Sequence, residues 1–359
     1  MKADNSSNGK KVGWICTYTP EELIHSAGFT PFRLLPDADS AINDVEDLLP
    51  ASICPYARQI LGSIRSGFQN DLEGIVIAQS CNAMLHLYNA LKEDFKGFVY
   101  LLDLPRKQDR AATTFFAEEL DDLLTFLENN NRPVSAAALA GSIELYNRKI
   151  NLIKYLLEAP QNTLENYFDC GLYGVAGEAA TAHPSEFISK VEEIINGNGS
   201  MKVDKKTVKP SLLLSGGVPP DSLIKMLSSI TGYRLYPEIC TGQRYLLRPP
   251  IDNPGLMYAD RKSMLLHIAQ NYLGKPPCPR HLPYRARKNF YDCLVDDIKV
   301  KAVVYHDLMF CDLCHYDYLL IKDLLDQKEI PCLKIKTELG REDSGQLHTR
   351  IEAFLEIIQ

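Results

Sequence analysis

The 359-residue sequence contains no run of about 18 apolar residues, which is the length that a membrane-spanning helix needs. Its first ten residues, MKADNSSNGK, are polar and precede no apolar segment of the kind found in secretory signals. An excess of basic residues is also missing, since the formal net charge is -7, whereas nucleic-acid-binding surfaces are usually basic. We therefore predict a cytoplasmic protein that binds neither a membrane nor nucleic acid.

Two glycine-rich nucleotide-binding patterns, GxxxxGK[ST] and GxGxxG, are absent as well. This chain is therefore not expected to bind a nucleotide phosphate through either loop. The pair Gly216-Gly217 follows an apolar segment, but such a pair is more often a tight turn than a phosphate contact. With 45% hydrophobic and 24% charged residues, the chain is long enough to build more than one packed core.

Short apolar segments alternate with amphipathic ones in both halves of the chain. Residues 74–79 (GIVIAQ) predict a buried strand, and residues 82–92 a helix after it. Residues 302–304 predict another buried strand, and residues 316–326 have the spacing of an amphipathic helix. Alternation of this kind is typical of parallel sheets covered by helices.

Between the two halves, residues 111–196 predict almost only helix, and the lysine-rich residues 201–209 predict a domain boundary. The predicted fold is α/β, with two doubly wound Rossmann-like domains that contain parallel sheets and are joined by a helical segment. The predicted bounds are 1–110 for the first α/β domain, 111–200 for the helical segment and 201–359 for the second α/β domain.

Ten cysteines in a reducing compartment are not expected to form disulfides, so some should be metal ligands or catalytic thiols. Cys16, Cys54 and Cys81 fall at turns where helices begin, and a helix N-terminus favours a thiolate, the form that binds metals. Cys311 likewise follows a strand. In open α/β sheets ligands bind at that edge.

The second half repeats the order of neighbours seen in the first. In each half, the first of three cysteines is followed by Thr, the second by Pro and the third by Asn or Asp. The first two cysteines are 38 residues apart in both halves (54 minus 16, 278 minus 240). We interpret this echo as a duplicated α/β unit. It would direct three thiols of each unit to one sheet edge: Cys16, Cys54 and Cys81 from the first, and Cys240, Cys278 and Cys311 from the second.

Six thiolates with no histidine placed to share the coordination favour a soft metal site, and cysteine-bound iron-sulfur clusters are the natural candidate. The cysteines are far apart in the sequence, unlike the compact C-x2-C-x2-C run of a ferredoxin. This distribution predicts a cluster buried at an interface between domains.

The chain resembles the 2-hydroxyacyl-CoA dehydratase / benzoyl-CoA reductase superfamily from about residue 11 to its end. The resemblance is carried by WICTYTPEELIHSAGFTPFRLL, SICPYARQILG, IVIAQSCNAM, LPRKQ, GSIELYNR, EICTGQRY, MFCDLCHYDY and TRIEAFLE. In dehydratase subunits of this family three cysteines hold one [4Fe-4S] cluster, and the resemblance places them on Cys54, Cys81 and Cys311.

Three further cysteines, Cys16, Cys240 and Cys278, depart from the dehydratase pattern. In this respect the chain is similar to the double-cubane cluster proteins of the superfamily, in which six cysteines bind an [8Fe-9S] cluster. That similarity implies a homodimer, a separate ATP-hydrolysing [4Fe-4S] reductase as partner, and reduction of small molecules at very low potential. The simplest assignment gives Cys54, Cys81 and Cys311 to one cubane and the other three cysteines to the second.

Several residues near these cysteines have both a functional and a structural interpretation. Cys314 forms C-x2-C with Cys311, as in a zinc half-site or a dithiol pair, but no second pair stands nearby and a packed role is favoured. His306 and His315 are candidate proton donors, although lone histidines are more often structural. The remaining residues in question are the candidate charge-balancing arginines Arg58, Arg244 and Arg280, the acids Glu21 and Glu22, and the predicted core cysteines Cys170, Cys293 and Cys332.

The function therefore has a main interpretation and alternatives. The main one is an oxidoreductase component with a double-cubane [8Fe-9S] cluster. The first alternative is a subunit of a (R)-2-hydroxyacyl-CoA dehydratase or benzoyl-CoA reductase, with one [4Fe-4S] cluster and a CoA thioester substrate. A non-enzymatic electron-transfer or cluster-storage protein is a second alternative, and a plain zinc protein is the least favoured.

Overall fold

The computed structural model describes residues 9–36, 42–67, 71–197, 210–230, 232–251, 260–339 and 344–358. These residues form two four-stranded sheets with helices around them. Among the helices of these residues, none has both the length and the apolar character that crossing a bilayer requires.

The first sheet is built from the N-terminal part of the chain, and all its strand pairs are parallel in the order β2-β1-β3-β4. Its strands are β1 (Lys11–Ile15), β2 (Thr30–Arg33), β3 (Leu72–Ala78) and β4 (Phe98–Leu102). The connections contain α1 (Glu21–Ser26), a short 3-10 helix (Ile42–Val45), α2 (Pro55–Arg65) and α3 (Asn82–Asp94).

A helical region follows the first sheet. It comprises α4 (Arg110–Asn130), α5 (Ala136–Glu158), α6 (Gln161–Glu165), α7 (Leu172–Thr181) and α8 (Pro184–Gly197). The two longest helices begin at side-chain caps, because Asp109 accepts from the N–H of Ala112 and Ser135 accepts from that of Ala138. Helix α5 packs on α1 and α8, so this region covers one face of the first sheet.

The second sheet is also entirely parallel, in the order β6-β5-β7-β8. Its strands are β5 (Ser211–Gly216), β6 (Arg234–Glu238), β7 (Val300–Leu308) and β8 (Cys332–Thr337). Its helices are α9 (Asp221–Ser228), α10 (Gln243–Leu246), α11 (Arg261–Leu273), α12 (Tyr284–Asp297), α13 (Asp312–Gln327) and α14 (Ser344–Ile358).

The predicted α/β fold with two parallel sheets is confirmed. Strand β5 is buried along its whole length, as expected for a parallel strand covered on both faces. The predicted boundary at residues 201–209 lies outside the described residues, and the domain bounds stay a prediction. Helices α10 and α12 were not predicted. Helix α13 begins at Asp312, before the apolar pattern that starts at Tyr316. The acid in its first turn, Asp312, is favoured by the partial positive charge of a helix N-terminus, and apolar spacing does not reveal this turn.

The two sheets have the same strand order, as expected for a duplicated unit. They also share an irregularity, since the register of the central pair shifts between Lys11 and Val12 in one sheet and between Ser211 and Leu212 in the other. The cysteine echo is only partly equivalent, however. Cys16 follows β1, whereas Cys240 follows β6, which corresponds to β2. The equal spacing of 38 residues therefore joins positions that differ in the fold.

Candidate metal centre

One cavity, with a volume of about 150 Å³, is lined by residues that follow strands of both sheets. Every cysteine that the sequence analysis proposes as a ligand lines it, and one further cysteine does so too. These residues are Cys16, Cys54, Cys81, Cys240, Cys278, Cys311 and Cys314. Thiols that are up to 298 residues apart in the sequence (314 minus 16) thus meet at one site.

Three of these cysteines are the N-cap residues of helices. Cys54 caps α2, Cys81 caps α3 and Cys311 caps α13. The partial positive charge of a helix N-terminus favours a thiolate, but burial raises the pKa of Cys54 and of Cys81. Cys54 and Cys81 belong to the part of the chain that forms the first sheet and Cys311 to the part that forms the second, so their common cavity brings the two parts together.

The other three candidate ligands lie on loops. Cys16 directly follows β1 and has a positive φ of 79°, a region that side-chain-bearing residues rarely adopt. Its carbonyl accepts the N–H of Thr19, which closes the turn. Cys240 comes two residues after β6, and Cys278 lies on the loop between α11 and α12. Backbone strain at Cys16 is typical of a position whose side chain is held for a function.

Burial raises the pKa of several of these thiols. It does so for Cys54, whose pKa the neighbouring Cys311 and Cys81 raise further. Burial also raises the pKa of Cys16 and of Cys278. Following the simplest assignment of the cysteines to two cubanes, we call Cys54, Cys81 and Cys311 the first triad and Cys16, Cys240 and Cys278 the second triad.

Cys314 is buried and belongs to the surroundings of Cys311. A side-chain hydrogen bond between the two thiols is the largest influence on both, and it lowers the pKa of Cys311 while it raises that of Cys314. This contact therefore favours the thiolate of Cys311 over its thiol. Within the described residues, no three His, Cys, Asp or Glu side chains are grouped so as to bind a single metal ion.

A buried carboxylate, Glu238 at the end of β6, connects three cysteine-bearing segments. Arg244 Nε lies 2.5 Å from Glu238 Oε1, and Arg287 Nη1 lies 3.0 Å from the same oxygen. Arg287 also contacts Asp317 of α13 at 3.0 Å and donates to the carbonyl of Pro277. Although burial opposes ionisation of Glu238, the two arginines hold its pKa at about 2. This network joins the segments that carry Cys240, Cys278 and Cys311.

A second set of contacts ties the Cys278 loop to the first sheet. Arg280 donates to the carbonyls of Leu104 at 2.6 Å, Pro105 at 2.7 Å and Ser80 at 3.2 Å. The Tyr18 hydroxyl lies 3.0 Å from His281 Nδ1. Burial and the adjacent Arg280 lower the pKa of His281 to about 4, so this ring is neutral and accepts from Tyr18. The loops around Cys16, Cys81 and Cys278 are thereby held together.

Comparison with known proteins identifies the family. The model of the family described as 2-hydroxyglutaryl-CoA dehydratase, D-component, matches residues 16–358. The chain belongs to this dehydratase family.

Three relatives of this family member span nearly the same length. YjiM of Escherichia coli (strain K12), which is named as a dehydratase subunit, is 24% identical, with 97% of this chain and 91% of that protein covered. Lactoyl-CoA dehydratase subunit beta of Anaerotignum propionicum is 21% identical over 97% and 91% of the two chains. The (R)-phenyllactyl-CoA dehydratase beta subunit of Clostridium sporogenes is 21% identical over 100% and 94%.

Of the three arginines that were predicted to balance the charge of a cluster in this dehydratase-family chain, two line the cavity and one does not. Arg244 and Arg280 line the cavity, as expected. Arg58 does not line it and instead lies 3.1 Å from Glu46 and 3.7 Å from Glu338, so its expected role is wrong. Its side chain is buried on α2, and a buried charge is stable only when it is paired, here with these two carboxylates.

Sequence reasoning missed Arg33, which lines the cavity from the end of β2. The available signal was its position, since it is the last residue of a strand that ends at the same edge as β1. It is 2% exposed, and its Nε and Nη1 have no hydrogen-bond partner within the described residues. Its guanidinium lies 5.0 Å from the Trp14 ring and 5.7 Å from the Tyr245 ring.

The candidate proton donors do not line the cavity. His306 is fully buried in β7, where Nε2 lies 2.8 Å from Thr337 Oγ1, and burial lowers its pKa to about 4. His315 is more than half exposed and lies 3.3 Å from Asp307. Among the predicted core cysteines, Cys293 is exposed, so its assignment to the core is wrong. Cys170 and Cys332 are half-buried.

The acids Glu21 and Glu22 are buried behind the cavity and do not line it. Glu21 pairs with Lys149 at 3.1 Å, and Glu22 pairs with Arg248 at 2.5 Å. Their position in the first turn of α1 is favourable, as predicted. Their ion pairs also explain how two carboxylates can be buried there.

Proposed function

We propose that this protein is an iron-sulfur oxidoreductase component that holds a double-cubane [8Fe-9S] cluster on the first and second triads. It would reduce small molecules at low potential with electrons from an ATP-hydrolysing [4Fe-4S] partner. The observation that supports this proposal most strongly is one cavity lined by all six candidate thiols, three from the part of the chain that forms the first sheet and three from the part that forms the second.

The donor set of the cavity suits this group. No histidine and no carboxylate line it, so thiolates are the anionic ligands available among the described residues. Cysteine thiolates are the usual ligands of iron-sulfur clusters. Three arginines, Arg33, Arg244 and Arg280, also line the cavity and oppose the negative charge that thiolates and sulfide would bring.

The protein's own residues would hold and shield the cluster. Ile15, Val218 and Leu308 contribute apolar surface to the cavity, and apolar surroundings limit contact with water. When bound, the cluster would supply electrons at low potential. The chain contains neither of the two nucleotide-binding loop patterns, so we assign ATP hydrolysis to the partner. Association of two copies of this chain is part of the same proposal.

The decisive experiment is analysis of iron and sulfide after anaerobic purification. The proposal requires about eight irons and about nine sulfides per chain. About four irons would refute the double cubane, and none would refute any cluster.

Serine variants of the triads locate the iron. Replacement of Cys240 or Cys278 by serine should remove iron, because each thiol belongs to the second triad. Cys54→Ser should remove iron from the first triad. Cys293→Ser is the matched control, since Cys293 is exposed and lies outside the cavity. Wild-type iron content in both Cys240→Ser and Cys278→Ser would contradict binding by the second triad.

A second candidate function is favoured by the names of the relatives. Two of them are named as subunits of lactoyl-CoA and (R)-phenyllactyl-CoA dehydratases. In this alternative the first triad holds a single [4Fe-4S] cluster, and the substrate is a CoA thioester. About four irons per chain, together with dehydration of a 2-hydroxyacyl-CoA when a second subunit is present, would favour it over the main proposal.

A further inference from the structure

Arg33 is a buried cation whose hydrogen-bonding capacity is not used by the protein. Its side chain is 2% exposed and lines the cysteine cavity, and its Nε and Nη1 have no hydrogen-bond partner within the described residues. The N–H of Trp14, beside it, is likewise buried without an acceptor among those residues. Arginine keeps its charge in proteins, and a buried charge without a partner is strongly unfavourable. An anion in the cavity would remove this penalty.

The two other arginines of the cavity are already committed to the protein. Arg244 is in the ion pair with Glu238 and also donates to backbone carbonyls. Each of the three guanidinium nitrogens of Arg280 donates to a backbone carbonyl. Among the described residues, Arg33 is therefore the arginine of this cavity whose buried nitrogens lack an acceptor.

Two aromatic rings hold the Arg33 guanidinium in place. Its central carbon lies 5.0 Å from the centre of the Trp14 ring and 5.7 Å from that of the Tyr245 ring, and the two rings are 5.6 Å apart. Trp14 is fully buried in β1, and the Tyr245 hydroxyl donates to Glu21 at 2.9 Å and to the carbonyl of Ala179 at 3.1 Å. The unused donors of Arg33 are thus fixed before a ligand arrives, which lowers the entropic cost of binding.

Positive charge exceeds negative charge around the Tyr245 ring. The cations near its centre are Arg33 at 5.7 Å, Lys149 at 5.8 Å and Lys275 at 5.9 Å. Lys149 is paired with Glu21 at 3.1 Å, whereas Lys275 donates to a backbone carbonyl. Burial lowers the pKa of Lys275 to about 7, so this lysine can lose its charge where an arginine cannot. Arg33 is the cation that stays unmatched, which favours a singly charged anion over a neutral ligand.

We propose that Arg33 forms a binding site for a small monovalent anion in the cysteine cavity, and that the substrate of this cavity is an anion of this class. A cavity of about 150 Å³ that also holds a cluster leaves room for only a few further atoms. Binding of the anion is a property of the chain and does not require iron. Its assignment as substrate rests on the proposed function.

Equilibrium dialysis with radiolabelled thiocyanate, a small monovalent anion, measures binding to the iron-free and the iron-loaded chain under anaerobic conditions. The wild type should bind thiocyanate saturably in both states. Arg33→Met removes the charge and should raise the Kd about tenfold or more, because hydrogen bonds to a charged group contribute at least that factor. Arg33→Lys retains the charge and should bind more tightly than Arg33→Met. Arg234→Gln is the matched control, since Arg234 also has a buried unpartnered Nε but does not line the cavity, and it should bind like the wild type.

Two measurements on the iron-free chain locate the bound anion and test the charge. Trp14 is the single tryptophan of the sequence, so thiocyanate bound beside Arg33 should change the fluorescence with the Kd found by dialysis. This change should be absent from Arg33→Met in the same concentration range. In urea unfolding, Arg33→Met should be at least as stable as the wild type, because it removes an unmatched buried charge. Low concentrations of thiocyanate should raise the urea midpoint of the wild type and not that of Arg33→Met.

The outcomes separate this inference from the proposed function. Absence of binding by the iron-free wild type, or binding that Arg33→Met does not weaken, would overturn the anion site. A lower urea midpoint for Arg33→Met would overturn it too, since Arg33 would then be matched within the protein. Binding that disappears when iron is loaded would show that Arg33 faces the cluster and not a substrate, which also overturns the proposal. A wild type without iron would refute the proposed function, while the iron-free measurements would still decide whether Arg33 binds an anion.

Discussion

Substitution of Glu238 by glutamine tests whether the network around this carboxylate holds the site. Glu238 is fully buried at the end of β6 and accepts from Arg244 and Arg287. It also accepts from the Tyr291 hydroxyl at 2.5 Å. Glutamine has nearly the same volume, so the change removes the charge and leaves two buried arginines with one fewer carboxylate. We expect a less stable protein with a less well-ordered Cys240 loop.

Two independent routes give similar magnitudes for this loss. Removal of one partner from a buried ion pair costs about 3–5 kcal/mol. The pKa of Glu238 is lowered from 4.5 to about 2. At about 1.4 kcal/mol for each tenfold change in the ionisation equilibrium, this corresponds to about 3–4 kcal/mol of stabilisation. We therefore expect Glu238→Gln to lower the free energy of unfolding by about 3 kcal/mol at neutral pH.

The same argument fixes the pH dependence. Because the pKa of Glu238 is lower in the folded state than in the unfolded state, its contribution is complete above the unfolded value of 4.5. The contribution is lost as the pH falls towards the folded value of about 2. The difference in stability between the wild type and Glu238→Gln should thus be constant from pH 7 to about 5 and then decrease towards pH 2.

Urea unfolding of the iron-free chain, followed by far-ultraviolet circular dichroism at pH 7, 5 and 3, measures this difference. The control is Glu192→Gln, which breaks the exposed pair with Arg148 and should cost less than about 1 kcal/mol at every pH. A cost for Glu238→Gln below about 1 kcal/mol at pH 7, or a cost that stays the same at pH 3, would refute the electrostatic role of Glu238.

Two further substitutions test the backbone and the loops of the site. Gly216→Ala should destabilise the chain by about 1–3 kcal/mol in urea unfolding, because φ is 102° and an added Cβ would lie 2.1 Å from the His306 carbonyl oxygen. Gly141→Ala is the control, since Gly141 lies on an open helix face and its substitution should be neutral or stabilising. Equal effects of the two substitutions on stability would contradict the argument. Tyr18→Phe should lower the free energy of unfolding by about 0.5–1.5 kcal/mol, because it removes the hydrogen bond to His281. It should also speed the loss of iron to a chelator. Unchanged stability and iron retention would show that this contact does not hold the loop.

Much of the fold followed from local pattern. Apolar runs such as residues 74–79 can be satisfied only by burial on both faces, and helices between them require parallel pairing. Helix α12 was missed because its sequence, YRARKNFYDCLVDD, is mostly polar and buries only a narrow face. Helix α10 is a single turn, too short for periodicity to reveal.

The gathering of the candidate ligands could also be expected from the sequence. Cys81 and Cys311 each follow a predicted strand, and the carboxyl ends of parallel strands are where ligands bind in such sheets. The two strands lie in different sheets, so the meeting of their ends at one cavity is a feature of the tertiary structure. The direct influence of Cys311 on Cys54 required coordinates, since the two are 257 residues apart (311 minus 54). The cysteine echo shows the limit of such reasoning, because equal spacing did not mean equivalent positions for Cys16 and Cys240.

The sequence by itself determined the alternation of strands and helices, the parallel sheets and the set of thiols at their edges, because these depend on side-chain polarity and on strand direction. Only the tertiary structure decided which charges face those thiols. Nothing local distinguishes Arg33, which lines the cavity and has two nitrogens without a hydrogen-bond partner within the described residues, from Arg58, which is matched by two glutamates. Coulomb interactions depend on distance in space, and that distance is set by packing between segments far apart in the chain.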